Sequence, residues 1–145
     1  MTDDRTSTEL AHAWRAALLG RDAPAFADLF APDGVLHDVE HRTPDLSAAR
    51  PIVGRPAIEA ITEAWLAATP AFRFEIAAVL ARGDAAAYRW TYEVTGAPGT
   101  AVEGITWLTC AGGRIRHALV VFDSLGLLRG LGRLGEVGDT PRPAR

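Results

Sequence analysis

The sequence has no lysine, no asparagine and no glutamine, and all fifteen of its cationic side chains are arginines. Schiff-base catalysis therefore has no side-chain amine to use. Polar work inside any pocket falls to Asp, Glu, His, Arg, Ser, Thr, Tyr, Trp and backbone groups. A single cysteine, Cys110, excludes an intramolecular disulfide. Long apolar runs are missing too: no window approaches the ~18 uninterrupted apolar residues of a spanning helix. The opening Met1-Thr2-Asp3-Asp4-Arg5 lacks the apolar stretch of a signal peptide. These absences predict a cytoplasmic protein without a membrane partner. Basic residues nowhere cluster with aromatics and the net charge is -3, so nucleic acid is not an expected partner.

What is present suits one ordinary globular core: 145 residues, 48% hydrophobic and 23% charged. We read a single domain over residues 1–136 and a disordered tail over 137–145, where Pro141-Arg142-Pro143 falls. Thr6-Ser7-Thr8-Glu9 is a capping-box pattern, followed at helical spacing by Leu10, Trp14 and Leu18 until Gly20. Asp22 caps a second helix with Phe26, Leu29 and Phe30 on its apolar side, ending before Pro32-Asp33-Gly34; a short strand over 35–39 comes next. After a loop through Pro44 and Pro51, Gly54-Arg55-Pro56 opens a third helix bearing Ile58, Ile61, Trp65 and Leu66. The period then changes to two. Strands from Phe72 towards Leu80, 85–95, 100–110 and 114–122 are separated by glycine turns and predict an antiparallel meander, with a short helix after Asp123. Helices first and strands second is an α+β order, helices covering one face of the sheet.

That order, with Asp33-Gly34-Val35 after helix two and Gly54-Arg55-Pro56-Ala57-Ile58 before helix three, resembles the NTF2-like superfamily. The ending Gly113-Arg114-Ile115, Phe122-Asp123-Ser124-Leu125-Gly126-Leu127-Leu128 and Leu131-Gly132 resembles its SnoaL-like branch of polyketide cyclases and ketosteroid isomerase-like proteins. The resemblance covers about residues 8–132. It implies a cone-shaped α+β barrel, a curved antiparallel sheet closed over a deep pocket by three helices, commonly as a homodimer. No single reaction is implied, because isomerases, cyclases, dehydratases, epoxide hydrolases and non-catalytic modules share the fold.

By that resemblance Asp38 stands where ketosteroid isomerases keep their general base; a solvated acid at a strand end is the competing reading. Trp14 takes the place of their oxyanion-binding Tyr, and an indole N–H gives one hydrogen bond without phenolic acidity. Their second donor, a protonated acid on the third meander strand, is matched by Glu103, or by Ile105 if the turn carries no gap. Where the cyclases and epoxide hydrolases place an acid, this chain has Val120. The hydrolases' Arg-x-Asp reads Arg89-Trp90-Thr91, which leaves epoxide hydrolysis a third choice. Asp123 is read as a helix cap. Tyr88, Trp90 and Tyr92 alternate with polar residues along one strand; together with Phe26, Trp65, Trp107 and Phe122 they either line a pocket for a hydrophobic ligand or fill a core.

His37 and His41 flank Asp38 and Glu40, but on one strand they would lie about 13 Å apart, too far to share an ion. No metal and no cofactor are expected. Gly130-Leu131-Gly132-Arg133-Leu134-Gly135 matches the dinucleotide fingerprint without a βαβ unit to hold a phosphate. The expected function is cofactor-independent isomerisation, cyclisation or dehydration of a small hydrophobic carbonyl compound, with Asp38 as base and a donor among Trp14, a neighbouring Tyr and Glu103. The alternative is a binding or dimerisation module. A chamber of several hundred Å³ with Asp38 opening into it is the expected mark of the enzyme.

Overall fold

The computed structural model describes residues 5–38 and 51–132. Helix α1 (Ser7–Leu19) starts at the capping box: Thr6 Oγ1 accepts from the Glu9 amide at 3.2 Å, and Glu9 Oε2 accepts from the Thr6 amide at 2.7 Å. These bonds satisfy two orphan N–H donors, and the helix then buries Leu10, Trp14 and Leu18 on one side. Helix α2 (Ala23–Ala27) is a single short turn capped by Asp22. Helix α3 (Arg55–Ala68) turns Ile58, Thr62 and Leu66 inward, and α4 (Ser124–Gly130) is capped by Asp123, whose Oδ1 accepts from the Gly126 amide at 2.8 Å.

The strands are β1 (Phe30–Asp38), β2 (Ile52–Val53), β3 (Phe72–Arg82), β4 (Ala85–Val94), β5 (Val102–Ala111) and β6 (Arg114–Phe122). They form one curved sheet in the order β2-β1-β6-β5-β4-β3, whose two edge strands do not meet, so the cone stays open. The meander β3 to β6 is antiparallel, whereas β1 runs parallel to β6. The α+β class, the three helices on the sheet and the four-stranded meander are as the sequence predicts.

Helix two and strand one differ from expectation. Phe30 belongs to β1, because the Ile115 amide donates to Leu29 O at 2.8 Å and draws the chain into the sheet five residues early. Between the pairs Phe30–Ile115 and Val35–His117, β1 carries a bulge that absorbs Pro32-Asp33-Gly34. A Cβ on Gly34 would meet Ala31 O, Ile115 O and Phe30 Cβ, each at 3.0 Å, so the bulge needs glycine.

Alternation along β4, β5 and β6 gives the sheet two unlike faces. Tyr88, Trp90, Tyr92, Gly104, Thr106, Leu108, Ala118 and Val120 face the helices; Arg89, Glu103, Ile105, Trp107, Leu119 and Val121 face outward. Gly104 makes room for the Trp90 indole, which lies where its Cβ would be. Gly104→Ala is expected to destabilise the fold by about 1–3 kcal/mol, since the indole is buried and fixed by its bond to Thr106. A thermal melt unchanged from wild type would refute this packing.

Candidate active site

Between α1, α3, α4 and the inner sheet face lies a cavity of about 60 Å³, partly open to solvent. Among the described residues twelve line it: six are aromatic, and Asp38 is the one of the Asp, Glu, His or Arg kind. Each element contributes for a reason visible in its pattern. Trp14 and Leu18 are one turn apart on α1, Trp65 projects from α3, and β1 delivers Asp38 two residues after inward-facing Leu36. Phe74, Trp90, Tyr92, Val120 and Phe122 come from the sheet and Leu127 from α4.

The aromatic rings wrap round the space rather than stack into a slab. Phe74 and Trp90 are 5.2 Å apart at 32°, and Trp90 and Phe122 are 5.7 Å apart at 54°. The Trp90 indole N–H donates to Thr106 Oγ1 at 2.9 Å, a buried bond that turns the Thr106 hydroxyl toward the cavity wall. Behind that wall Tyr88, directly opposite Thr106 across β4 and β5, is 1% exposed. Its hydroxyl is the one buried side-chain polar atom among the described residues with no hydrogen-bond partner. Burial pushes the Tyr88 phenol well above its ordinary 10.0; Thr106 offsets this in part, and the negative charge of Asp38 adds to it. Thr106 thus lies within hydrogen-bonding reach of the phenol, although the two hydroxyls fall short of a well-formed bond.

Of the residues singled out in the sequence, Asp38, Trp14, Trp65, Trp90, Tyr92 and Phe122 are brought together on this cavity. Phe26 is not in the lining: it is core, edge-on to Trp14 at 4.6 Å. Tyr88 stands one layer behind. Trp107 is a correction, because the strand's alternation puts it on the outer face, 50% exposed. So is Glu103, which points out of the sheet and pairs with Arg89 at 2.8 Å, both side chains more than half exposed. A solvated, ion-paired carboxylate is no neutral donor, and Ile105, the other candidate position, is on the same outer face. Val120 does face the cavity, so the position carries no acid, while Arg89 of Arg89-Trp90-Thr91 faces away. Both observations weigh against an epoxide hydrolase. The expected chamber of several hundred Å³ is also corrected, since packed rings leave about 60 Å³. Thr106 escaped sequence reasoning because its role depends on which strands pair.

His41 and Glu40 lie outside the described residues. His37 has a partner on a different strand: its Nδ1 is 2.8 Å from His117 Nε2, on the outer face of the β1–β6 pair. Burial, and then the neighbouring His37, lower the His117 pKa from its ordinary 6.5. The unfolded chain therefore binds this proton more readily than the fold does. The contribution is fully present above about pH 6.5 and declines as pH falls through the lowered folded value. His117→Gln is expected to flatten the fall of the melting temperature below about pH 6.5; an unchanged slope would contradict it. Among the described residues no group of three or more His, Cys, Asp or Glu converges as a metal would need.

The SnoaL-like domain family matches residues 11–118. The chain belongs to that family. Among solved structures, a Catenulispora acidiphila DSM 44928 protein with a ketosteroid isomerase-like fold, determined in complex with trimethylamine, is 26% identical to this SnoaL-like chain. It matches 94% of this chain and 100% of its own with a TM-score of 0.74. A candidate SnoaL-like polyketide cyclase from Shewanella putrefaciens CN-32 is 18% identical over 86% of this chain and 84% of its own, TM-score 0.68. A candidate ketosteroid isomerase from Kribbella flavida DSM 17836 is 19% identical over 79% and 76%, TM-score 0.62. The last two likenesses establish the fold. No curated protein matches the sequence. Among the described residues of this SnoaL-like domain no helix is long and apolar enough to cross a membrane.

Proposed function

We propose that this SnoaL-like protein is a cofactor-independent isomerase, cyclase or dehydratase that removes a proton next to a carbonyl group. The observation that carries the reading is the place of Asp38, a carboxylate set in a cavity wall whose other described residues are aromatic, aliphatic and a threonine. In such a wall a carboxylate is poorly hydrated, which favours its acting as a base toward carbon. Asp38 takes the α-proton and the electron pair moves into the carbonyl, leaving an enolate. The enolate oxygen is met by the Thr106 hydroxyl with Tyr88 behind it, in a dry setting where such bonds strengthen. The proton returns to a different carbon in an isomerisation; in a dehydration the enolate expels a β-hydroxyl, which takes the proton from Asp38 and leaves as water, and in a cyclisation it attacks a second carbonyl, whose oxygen takes that proton.

A volume of about 60 Å³ admits the reacting end of a substrate, the remainder projecting through the mouth. Polyketide- or steroid-like compounds are taken in this way, carbonyl first. The test is exchange of α-protons for deuterium in small ketones and enones, followed by NMR, with Asp38 variants as controls. A second reading, a binding module without chemistry, draws on the absent acid at Val120 and the outward Glu103. Wild-type protein that binds such ketones without exchange would favour it. Trimethylamine, a ligand of the Catenulispora protein, serves as a further probe for this chain.

The outer face supports a homodimer. Ile105 pairs with Val121 and Trp107 with Leu119 across β5 and β6, so four apolar side chains, each 38–55% exposed, form one block. A second copy of the chain covers it. Light scattering is expected to report a dimer that Trp107→Glu converts to monomer; a monomer at every concentration of wild type would contradict this.

A further inference from the structure

We infer that Gly130 is a positioning residue: it sets the width of the cavity, and so the ligands admitted, by fixing how closely α4 seats Leu127 over it. Leu127 is buried and is one of the residues that line the cavity, so α4 closes one side of that space. The far end of α4 packs on the turn Pro98–Thr100 between β4 and β5. There backbone meets backbone: a Cβ on Gly130 would collide with the Gly99 carbonyl group and lie 2.9 Å from Thr100 Cα. Two stretches of main chain come this close only where a side chain is missing. The contact is one-sided, because a Cβ on Gly99 would find Gly130 Cα at 3.8 Å, an ordinary van der Waals distance.

Of the two elements in contact, the turn is the firmer. Thr100 is fully buried, and its hydroxyl accepts from the Val94 amide at 2.8 Å and donates to Ala97 O at 2.6 Å, which ties the turn to the end of β4. The start of α4 is fixed as well. Asp123 caps it through the Gly126 amide, and a Cβ on Gly126 would overlap that carboxylate. A side chain added at Gly130 therefore tilts α4 about its capped start. Alanine is a better helix former than glycine, so the helix moves without melting. Leu127 lies between the two ends and is lifted from the aromatic wall. In a packed space of about 60 Å³ a small lift is a large change in width.

The experiment compares wild type with Gly130→Ala, Gly99→Ala and Asp123→Ala, each checked for folding by circular dichroism. Access to the cavity is read without any ligand, by acrylamide quenching of tryptophan fluorescence. Trp14, Trp65 and Trp90 line the cavity, and exposed Trp107 contributes alike to every variant. Quenching should rise in Gly130→Ala and stay at the wild-type value in Gly99→Ala. Unchanged quenching in Gly130→Ala would overturn the inference, and so would equal rises in the two glycine variants, the mark of a turn loosened in general. Asp123→Ala releases the other end of α4 and keeps the test decisive if Gly130→Ala does not fold: quenching should rise there too, and a wild-type value would show that α4 does not close the cavity. A second arm rests on the carbonyl reading above and titrates narrow 2-butanone and wider cyclohexanone, followed by NMR. Gly130→Ala should shift the preference severalfold toward cyclohexanone, and Gly99→Ala should not. The expected quenching with no binding of either ketone would remove the carbonyl reading and leave Gly130 its role, whereas ketone binding with a preference that Gly130→Ala leaves unchanged would remove that role and leave the carbonyl reading.

Discussion

Replacing Asp38 by Ala or Asn is expected to leave the fold intact and to slow any carbonyl turnover by about 10²–10⁴-fold, the usual contribution of a positioned general base. The fold should survive because Asp38 sits partly buried at the end of β1, where its side chain forms part of a cavity wall and no layer of core. The loss should be large because, among the described residues, the lining supplies no second Asp, Glu or His: Val120 stands where a cyclase acid was sought, and Glu103 is turned to solvent. The measurement is the deuterium exchange rate of the ketone that wild type handles best. Undiminished exchange in Asp38→Ala would remove the reaction and leave ligand binding as the function of the site.

Tyr88→Phe is expected to move stability and activity in opposite directions. The Tyr88 hydroxyl is fully buried and makes no hydrogen bond, so the fold carries its desolvation without return. Deleting one oxygen while keeping the ring should stabilise the protein by about 1–3 kcal/mol and raise its melting temperature by several degrees. The same deletion takes a donor from behind Thr106. Acting through the Thr106 hydroxyl, which lines the cavity, Tyr88 is expected to support the enolate from one layer back, so turnover should fall by about tenfold, less than when a donor in direct contact is lost. A purely structural tyrosine would give the stability gain with no loss of rate. A Tyr88→Phe variant less stable than wild type would show that the hydroxyl has a partner in solution.

Local pattern carried much of this protein into view. The capping box at Thr6, the period of α3 and the alternation along β4 are local properties, set by side chains three, four or two positions apart, and each produced the element that the sequence predicts. Alternation also told which residues share a face, so Tyr88, Trp90 and Tyr92 were legible as one inward row. It could not say which face of β5 turned inward. Val102 to Ala111 places hydrophobic residues on both sides, and Trp107 and Ile105 are as apolar as Leu108 and Val102. The choice fell to volume: Gly104 and Thr106 leave room opposite Trp90 and Tyr88, and larger side chains there would not fit.

Strand order was the other matter beyond local pattern. Nothing in the chain between Phe30 and Asp38 announces that it pairs parallel to β6, some eighty residues on, because hydrogen bonds between strands are made by backbone that all residues share. That pairing put His37 beside His117, and set Asp38 opposite Val120 on the cavity wall. Local pattern thus accounted for α1, α3 and the meander, for the aromatic row and for the acid worth testing. The tertiary structure decided what that acid faces, how much space is left in front of it and which hydroxyl lies unpaired behind the wall, since these depend on the close packing of side chains from separate elements.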